Sequence, residues 1–266
     1  MQPELEILIS TTGRTDLGWL DNMFPDGYDH LHLLIVNQST EGEKIPVDRL
    51  PPNIRVINMD SMGLSKSRNT ALANARGRYL LLADDDTRFF PGFERRVIRA
   101  HRYWDDPVLI FPFLDHNGRL WDSGTKPGRP VKRLGKVYSP QISLKRSLLD
   151  RTDIRFDEHF GLGTSLPDAE NYIFLTQLRR QGTGIRYAGG APLGRHPQPN
   201  SSIYLTRPRN TKARLAMVKY LYGPRVYPYF AKLMFFLWRH TSIGWKDIKC
   251  YWNWIRQWKH PGDTPH

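Results

Sequence analysis

Only one cysteine, Cys250, occurs in the 266 residues. An internal disulfide framework is therefore excluded, and the composition suits a reducing compartment. No run of about 18 apolar residues is present, which excludes an ordinary membrane-spanning helix. No basic segment precedes the first strand-like run, so no secretory leader is expected. A glycine-rich phosphate loop is also missing: the first strand-like run leads into Ser10-Thr11-Thr12-Gly13-Arg14, with a single glycine. There is no internal repeat and no low-complexity tract.

Acidic residues are scarce in one region only. Residues 206–266 hold 12 Lys/Arg against two acids, Asp247 and Asp263, and five of the eight tryptophans. The formal charge of the whole chain is +13, so the remaining 205 residues are almost balanced. A basic tail on a near-neutral body argues against a surface built to track nucleic acid. At 39% hydrophobic, 24% charged and 12% aromatic, the chain can build a substantial core and is not disordered.

The first two thirds alternate strand-like and helix-like segments. Strands are expected over 5–10, 31–36, 54–58, 79–83 and 108–113. A turn and short helix should follow Thr11-Thr12-Gly13-Arg14. A second helix is expected from Lys66 to about Ala75, N-capped by Ser65 and stopped by Gly77. Another runs from Pro91 to about Trp104, and a further one over 169–181 ends at Gly182. Residues 115–146 read as loops with an antiparallel hairpin, and 189–211 as irregular. This rhythm implies an α/β fold with a mostly parallel central sheet flanked by helices. Two or three C-terminal helices follow from Thr211, with a break at Gly223-Pro224.

Four segments carry candidate chemistry. The run Tyr79-Leu80-Leu81-Leu82-Ala83 ends in Asp84, Asp85 and Asp86. Three adjacent carboxylates at a buried strand end repel one another, and a hard divalent cation is their natural partner; a solvated acidic turn is the bland alternative. Gly63-Leu64-Ser65-Lys66-Ser67-Arg68-Asn69 puts Lys66 and Arg68 in a first helical turn. There they oppose the helix dipole but reinforce an anion site. Phe156-Asp157-Glu158-His159-Phe160-Gly161-Leu162-Gly163 precedes Asp168-Ala169-Glu170-Asn171, a helix start able to aim a general base. Gly194-Arg195-His196-Pro197, with Ser201-Ser202, offers His196 as a metal ligand or phosphate donor.

Taken in order over about residues 4–200, these segments resemble the family 2 glycosyltransferases, inverting enzymes of GT-A-type fold that use nucleotide-activated sugars. They look closest to bacterial members that build capsule, exopolysaccharide or lipopolysaccharide. The resemblance implies that Thr11, Thr12 and Arg14 line the nucleotide. It puts Asn37 where an aspartate usually faces the base, and Arg68, with Lys66 beside it, on the diphosphate. Asp84 and Asp85 would sit at the nucleoside or sugar. Asp86, with Asp84 and His196, would bind Mn2+ or Mg2+. The usual catalytic acid aligns with Asn171, which cannot accept a proton, so Glu170 or Asp168 takes that role. Asp157 and Glu158 would brace their loop. A UDP-sugar is the leading donor, and a hydroxyl of a glycan or lipid-linked molecule the acceptor.

The resemblance divides the chain into a transferase domain, 1–205, and a basic, aromatic extension, 206–266. Within the extension, Trp245, Ile248, Trp252 and Ile255 form a helical stripe flanked by Tyr251 and Trp258, with Lys246, Lys249 and Arg256 lying away from it. Upstream, Tyr227 to Trp238 adds a second aromatic-rich segment. Such helices suit the interface of an anionic membrane, which implies a cytoplasmic enzyme held peripherally at the inner face; a homodimer could use the same stripe. Two rival functions remain: a nucleotidyltransferase acting on sugar phosphates, and a non-enzymatic nucleic-acid-binding protein. The missing glycine-rich loop opposes the first, and the acidic cluster on a near-neutral body opposes the second.

Overall fold

Apolar runs that look uniform in sequence sort into two faces once paired. In strand β1 (Leu5–Thr12), Ile7 and Ile9 enter one core while Leu8 enters another. The same alternation divides Leu33 and Ile35 from Leu34 and Val36 in β2 (His32–Gln38), and Leu81 and Ala83 from Leu80 and Leu82 in β4 (Tyr79–Asp84). Strands buried on both faces read as continuous apolar runs. The computed structural model describes residues 2–39, 43–121, 124–196, 206–241 and 243–263.

Between these strands lie α1 (Leu20–Met23), β3 (Ile54–Met59) and α2 (Leu64–Asn74). After them come β5 (Arg88–Phe89), α3 (Phe93–Tyr103), β6 (Val108–Ile110), β7 (Phe113–Leu114), β8 (Leu120–Trp121) and β9 (Ile142–Lys145). The chain continues with α4 (Glu170–Arg180), β10 (Ile185–Tyr187), β11 (Gly194–Arg195), α5 (Pro208–Tyr222), α6 (Val226–His240) and α7 (Trp245–Gln257).

A seven-stranded sheet has the order β10-β6-β9-β4-β1-β2-β3, with β9 antiparallel to both neighbours and the other pairs parallel. One face is covered by α1 and α3, the other by α2 and α4. A smaller sheet runs β5-β11-β7-β8. Register aligns the carboxyl ends of the central strands: Ser10 pairs with Asp84 and Thr12 with Gln38. Open α/β sheets put their ligand crevice at that edge.

Several local expectations are corrected. The run 108–113 is two strands in two sheets, because Pro112 has no N–H to continue the ladder. Helix α2 is capped by Gly63, not Ser65, whose hydroxyl instead donates to the Phe160 carbonyl at 2.6 Å. Gly77 does not stop α2, which ends at Asn74; its N–H donates to the Glu6 carboxylate at 2.8 Å, where a Cβ would collide with Glu6. Helix α3 starts at Phe93 after Gly92, so Pro91 lies just outside it.

A third core joins α5, α6 and α7 to the body. Leu215, Leu221, Phe230, Leu237, Tyr251 and Ile255 pack with Phe160, Leu166 and Ile173. The stripe on α7 is therefore split. Ile255 and Tyr251 face inward, whereas Trp245 is 85% exposed and Trp252 remains at the surface with Lys249 and Arg256. Trp258 is turned onto the body, edge-on to Phe160 and His260, and is not on the outward face. The 205/206 boundary and Ser201-Ser202 fall outside the described residues.

Candidate active site

The carboxyl ends of β1, β2 and β4, the start of α2 and the start of α4 enclose a cleft of about 630 Å³. That is the size of a site for a large small molecule. Its walls carry Thr11, Thr12, Gln38, Arg68, Asp84, Asp85, Asp86, Glu170, Asn171 and His196. Of the residues anticipated from sequence, Asn37, Arg14, Lys66 and Asp168 do not line it.

The three aspartates have separate partners. Asp84 takes Arg68 Nη2 on one oxygen at 2.9 Å and the Ser139 hydroxyl on the other. Each of its oxygens thus accepts one hydrogen bond from the protein. Asp85 accepts from Thr11 Oγ1 at 2.6 Å and from Arg14 Nη2 at 2.8 Å, which pins the first-strand turn to the fourth strand. Asp86 is different. Its Oδ1 is buried and receives no hydrogen bond, while His196 Nε2 stands 3.2 Å away.

Asn37 is fully buried. It accepts from the Arg14 N–H at 3.1 Å and donates to the Arg14 carbonyl at 2.9 Å and to Asn58 Oδ1 at 3.0 Å. It braces the Arg14 turn and does not reach into the cleft. An aspartate there would face the Arg14 carbonyl with no donor, which accounts for the amide. Gln38, its neighbour, takes the wall position. Lys66 folds back over Gly63.

Arg68 is the hub. Its side chain is only 3% exposed, and it donates to Asp84, to Glu170 Oε1 at 3.0 Å and to Asn171 Oδ1 at 3.2 Å. Three protein acceptors thus hold the guanidinium at the wall of the cleft. Burial opposes ionisation of both acids, but the outcomes diverge. Asp84 lies below the usual carboxylate range, because the Arg68 guanidinium and the Ser139 hydroxyl outweigh burial. Glu170 lies above it, because burial, reinforced by the charge of Asp168, outweighs Arg68. Two acids driven apart in this way fit distinct roles.

Glu170 is presented by an unusual backbone. Ala169, its N-terminal neighbour, has φ of +81°, the only non-glycine residue with positive φ among the described residues. Left-handed geometry costs an alanine roughly 1–2 kcal/mol, and such outliers concentrate at functional sites. Asp168 turns the other way, with one oxygen on the Ala169 N–H and the other on Arg214 Nε at 2.7 Å. In the loop before Glu170, Gly163 packs against Gly63 so tightly that a Cβ would sit 3.1 Å from the Gly63 Cα. Leu64 N–H closes the contact on the Leu162 carbonyl at 2.8 Å.

Asp157 and Glu158 hold the neighbouring loop, as expected. Glu158 accepts from Asn69 at 3.0 Å, and Asp157 meets His159 Nδ1 at 3.1 Å and His260 Nε2 at 2.7 Å. These last three could gather around a metal ion, but the Gly262 N–H donates to His260 Nδ1, which assigns the proton to Nε2. His260 Nε2 thus serves as a donor to Asp157.

Four residues were missed from sequence: Gln38, Ser139, Arg207 and Asn210 all line the cleft. Ser139 sits in a stretch legible only as loop, and Arg207 and Asn210 come from the extension.

The cleft carries four carboxylates, Asp84, Asp85, Asp86 and Glu170, against the cations Arg68 and Arg207. A sequence profile for glycosyl transferase family 2 matches residues 20–152, half of the chain. The chain belongs to that family. It is a glycosyltransferase that draws its sugar from a nucleotide donor. Glu170 and His196 lie beyond the matched residues.

Among solved structures, the chain is similar to Staphylococcus aureus TarS 1–349, with 17% identity and a TM-score of 0.54 over 84% of this chain and 68% of that one. The same protein in complex with UDP matches at 18% identity and a TM-score of 0.57, covering 91% and 72%. Its complex with UDP-GlcNAc matches at 17% and 0.53, covering 74% and 59%. At that identity the likeness is one of fold, and the fold is GT-A-like. No curated protein matches by sequence.

Proposed function

We propose that this glycosyltransferase is metal-dependent and inverting, moving a sugar from a UDP-sugar to a hydroxyl of a glycan or lipid-linked acceptor in bacterial surface polysaccharide synthesis. Residues 1–205 form the transferase unit and 206–266 an extension that keeps it peripherally at the inner face of an anionic membrane. UDP is favoured because TarS structures hold UDP and UDP-GlcNAc.

One observation carries the mechanism: Glu170, with a raised pKa, lines the same cleft as Asp86 and His196, whereas Asp168 is paired with Arg214 outside it. Glu170 is the base. It removes the acceptor hydroxyl proton, and the oxygen bonds to the anomeric carbon as the bond from that carbon to the nucleoside diphosphate breaks. A single displacement inverts the anomeric configuration. Arg68 holds Glu170 Oε1 and fixes the carboxylate's direction. Asn171 shares that guanidinium and positions it.

Asp86 and His196 are the residues that fit a divalent cation, since a buried carboxylate oxygen without a hydrogen bond stands beside an imidazole nitrogen. Mn2+ or Mg2+ held there would neutralise charge on the departing diphosphate. A cleft with more carboxylates than cations repels a nucleoside diphosphate without such a counter-charge.

The test compares Glu170→Gln with Asp168→Asn in a donor-turnover assay over an acceptor panel, with UDP affinity measured by calorimetry. Losing a general base lowers turnover by roughly 10²–10⁴, so Glu170→Gln should lose activity on that scale with UDP affinity retained. Asp168→Asn should retain activity. Near-wild-type turnover by Glu170→Gln would remove the base assignment.

A further inference from the structure

We propose that the membrane-docking element is centred on the exposed aromatic side of α6, with Trp245 and Trp252 of α7 at its rim, and that its partner is an anionic lipid surface. This rests on the peripheral-membrane reading above and identifies the surface that carries it.

Helix α6 buries Val226, Phe230, Leu233, Met234 and Leu237 in the third core. At about 100° per residue, Lys232 and Arg239 fall opposite that buried stripe. Between the two, Tyr227, Ala231, Phe235 and Trp238 follow one another at i, i+4, i+8 and i+11, all exposed. Phe235 is 59% exposed and Trp238 60%. A continuous apolar ridge of this kind is uncommon on a monomer and marks a surface that something covers.

The ridge continues onto α7. Trp252 leans against Tyr227 with ring centroids 5.6 Å apart, and Trp245 stands fully in solvent just beyond the α6–α7 connection. Tyrosine and tryptophan at the rim of an apolar patch suit the boundary between lipid head groups and acyl chains.

Charge decides between lipid and a second copy. Helix α6 has no acid, and exposed Lys232 and Arg239 flank the ridge. Residues 206–266 carry 12 Lys/Arg against two acids. A two-fold dimer through this face would oppose one cationic rim to another. An anionic lipid surface offers the complementary sign, and cations near such a surface add to apolar insertion. Among the described residues no helix is long and apolar enough to cross the bilayer.

The experiment is co-sedimentation of the full chain with phosphatidylglycerol-rich vesicles and with pure phosphatidylcholine vesicles. The wild type should sediment with the anionic vesicles and less so as salt rises. Phe235→Ser/Trp238→Ser should lower partitioning by about tenfold or more, and Lys232→Glu/Arg239→Glu should abolish the preference for anionic lipid. Both variants change exposed side chains and should melt as the wild type does. Three outcomes would overturn the proposal: no sedimentation of the wild type, undiminished sedimentation of Phe235→Ser/Trp238→Ser, or a wild-type dimer in light scattering that this variant dissociates. Mn2+-dependent UDP binding without vesicles is measured in parallel. If UDP binds but vesicles do not, only the docking proposal fails; if vesicles bind but UDP does not, only the catalytic reading fails.

Discussion

Replacing Arg68 with methionine tests the cage at the centre of the cleft without any knowledge of the acceptor. The guanidinium donates to Asp84, Glu170 and Asn171 at 2.9–3.2 Å from a side chain that is 3% exposed. Removing it leaves Glu170, 10% exposed at its side chain, without a counter-charge. Breaking a buried ion pair from one side costs about 3–5 kcal/mol. Asp84 keeps the Ser139 hydroxyl and is 26% exposed, so the lower end applies, about 3 kcal/mol. For a chain of this size that is a fall in melting temperature of roughly 6–12 °C.

The pH dependence gives the prediction its sign. Asp84 has a depressed pKa, so in the wild type it adds stability above its ordinary 3.8, lost as pH falls through the depressed value. Glu170 has a raised pKa, so its contribution is complete below its ordinary 4.5 and is lost as pH rises through the raised value. Without Arg68, both acids in the folded state move upward. Each then takes up a proton more readily and no longer needs a counter-charge once protonated. The gap between wild type and variant should be widest near neutrality and shrink toward about pH 4. Calorimetric melting at both ends measures it. A gap below about 2 °C, or one that does not change with pH, would refute the cage.

Three further outcomes follow from the same geometry. Asp86→Ala should weaken Mn2+-dependent UDP binding by about tenfold or more in calorimetry. Ala169→Gly should raise stability by up to about 1 kcal/mol in denaturant unfolding, since relief of left-handed strain outweighs the entropy of an added glycine. Deleting residues 245–263 should broaden thermal unfolding and not simply free the protein from vesicles, because Tyr251 and Ile255 belong to the third core.

Much of the fold was legible locally. The central strands, the acid triplet, and the Gly63–Asn69 and Phe156–Gly163 segments all announce themselves by residue type and spacing. The misreadings have local causes. Ser65 and Gly77 look like a cap and a stop, yet each answers to a distant neighbour, Phe160 and Glu6. Asn37 looks like an altered base contact, yet it is the buried brace of a turn. The α7 stripe looks like a single face, yet two of its residues complete a core and two remain outside.

The sequence by itself determined the α/β rhythm, the position of the carboxylates at a strand end and the excess of cations in the last 61 residues. Those properties depend on periodicity and composition within a few turns or strands. Tertiary structure alone decided which acids line the cleft, that Arg68 is caged and not free, and which aromatic residues of α6 stay exposed. Each of those rests on partners far apart in the chain, such as Arg68 with Glu170, 102 residues away, or Asp85 with Arg14, 71 away. Burial and charge pairing at such separations are set by how the strands stack, which no local pattern encodes.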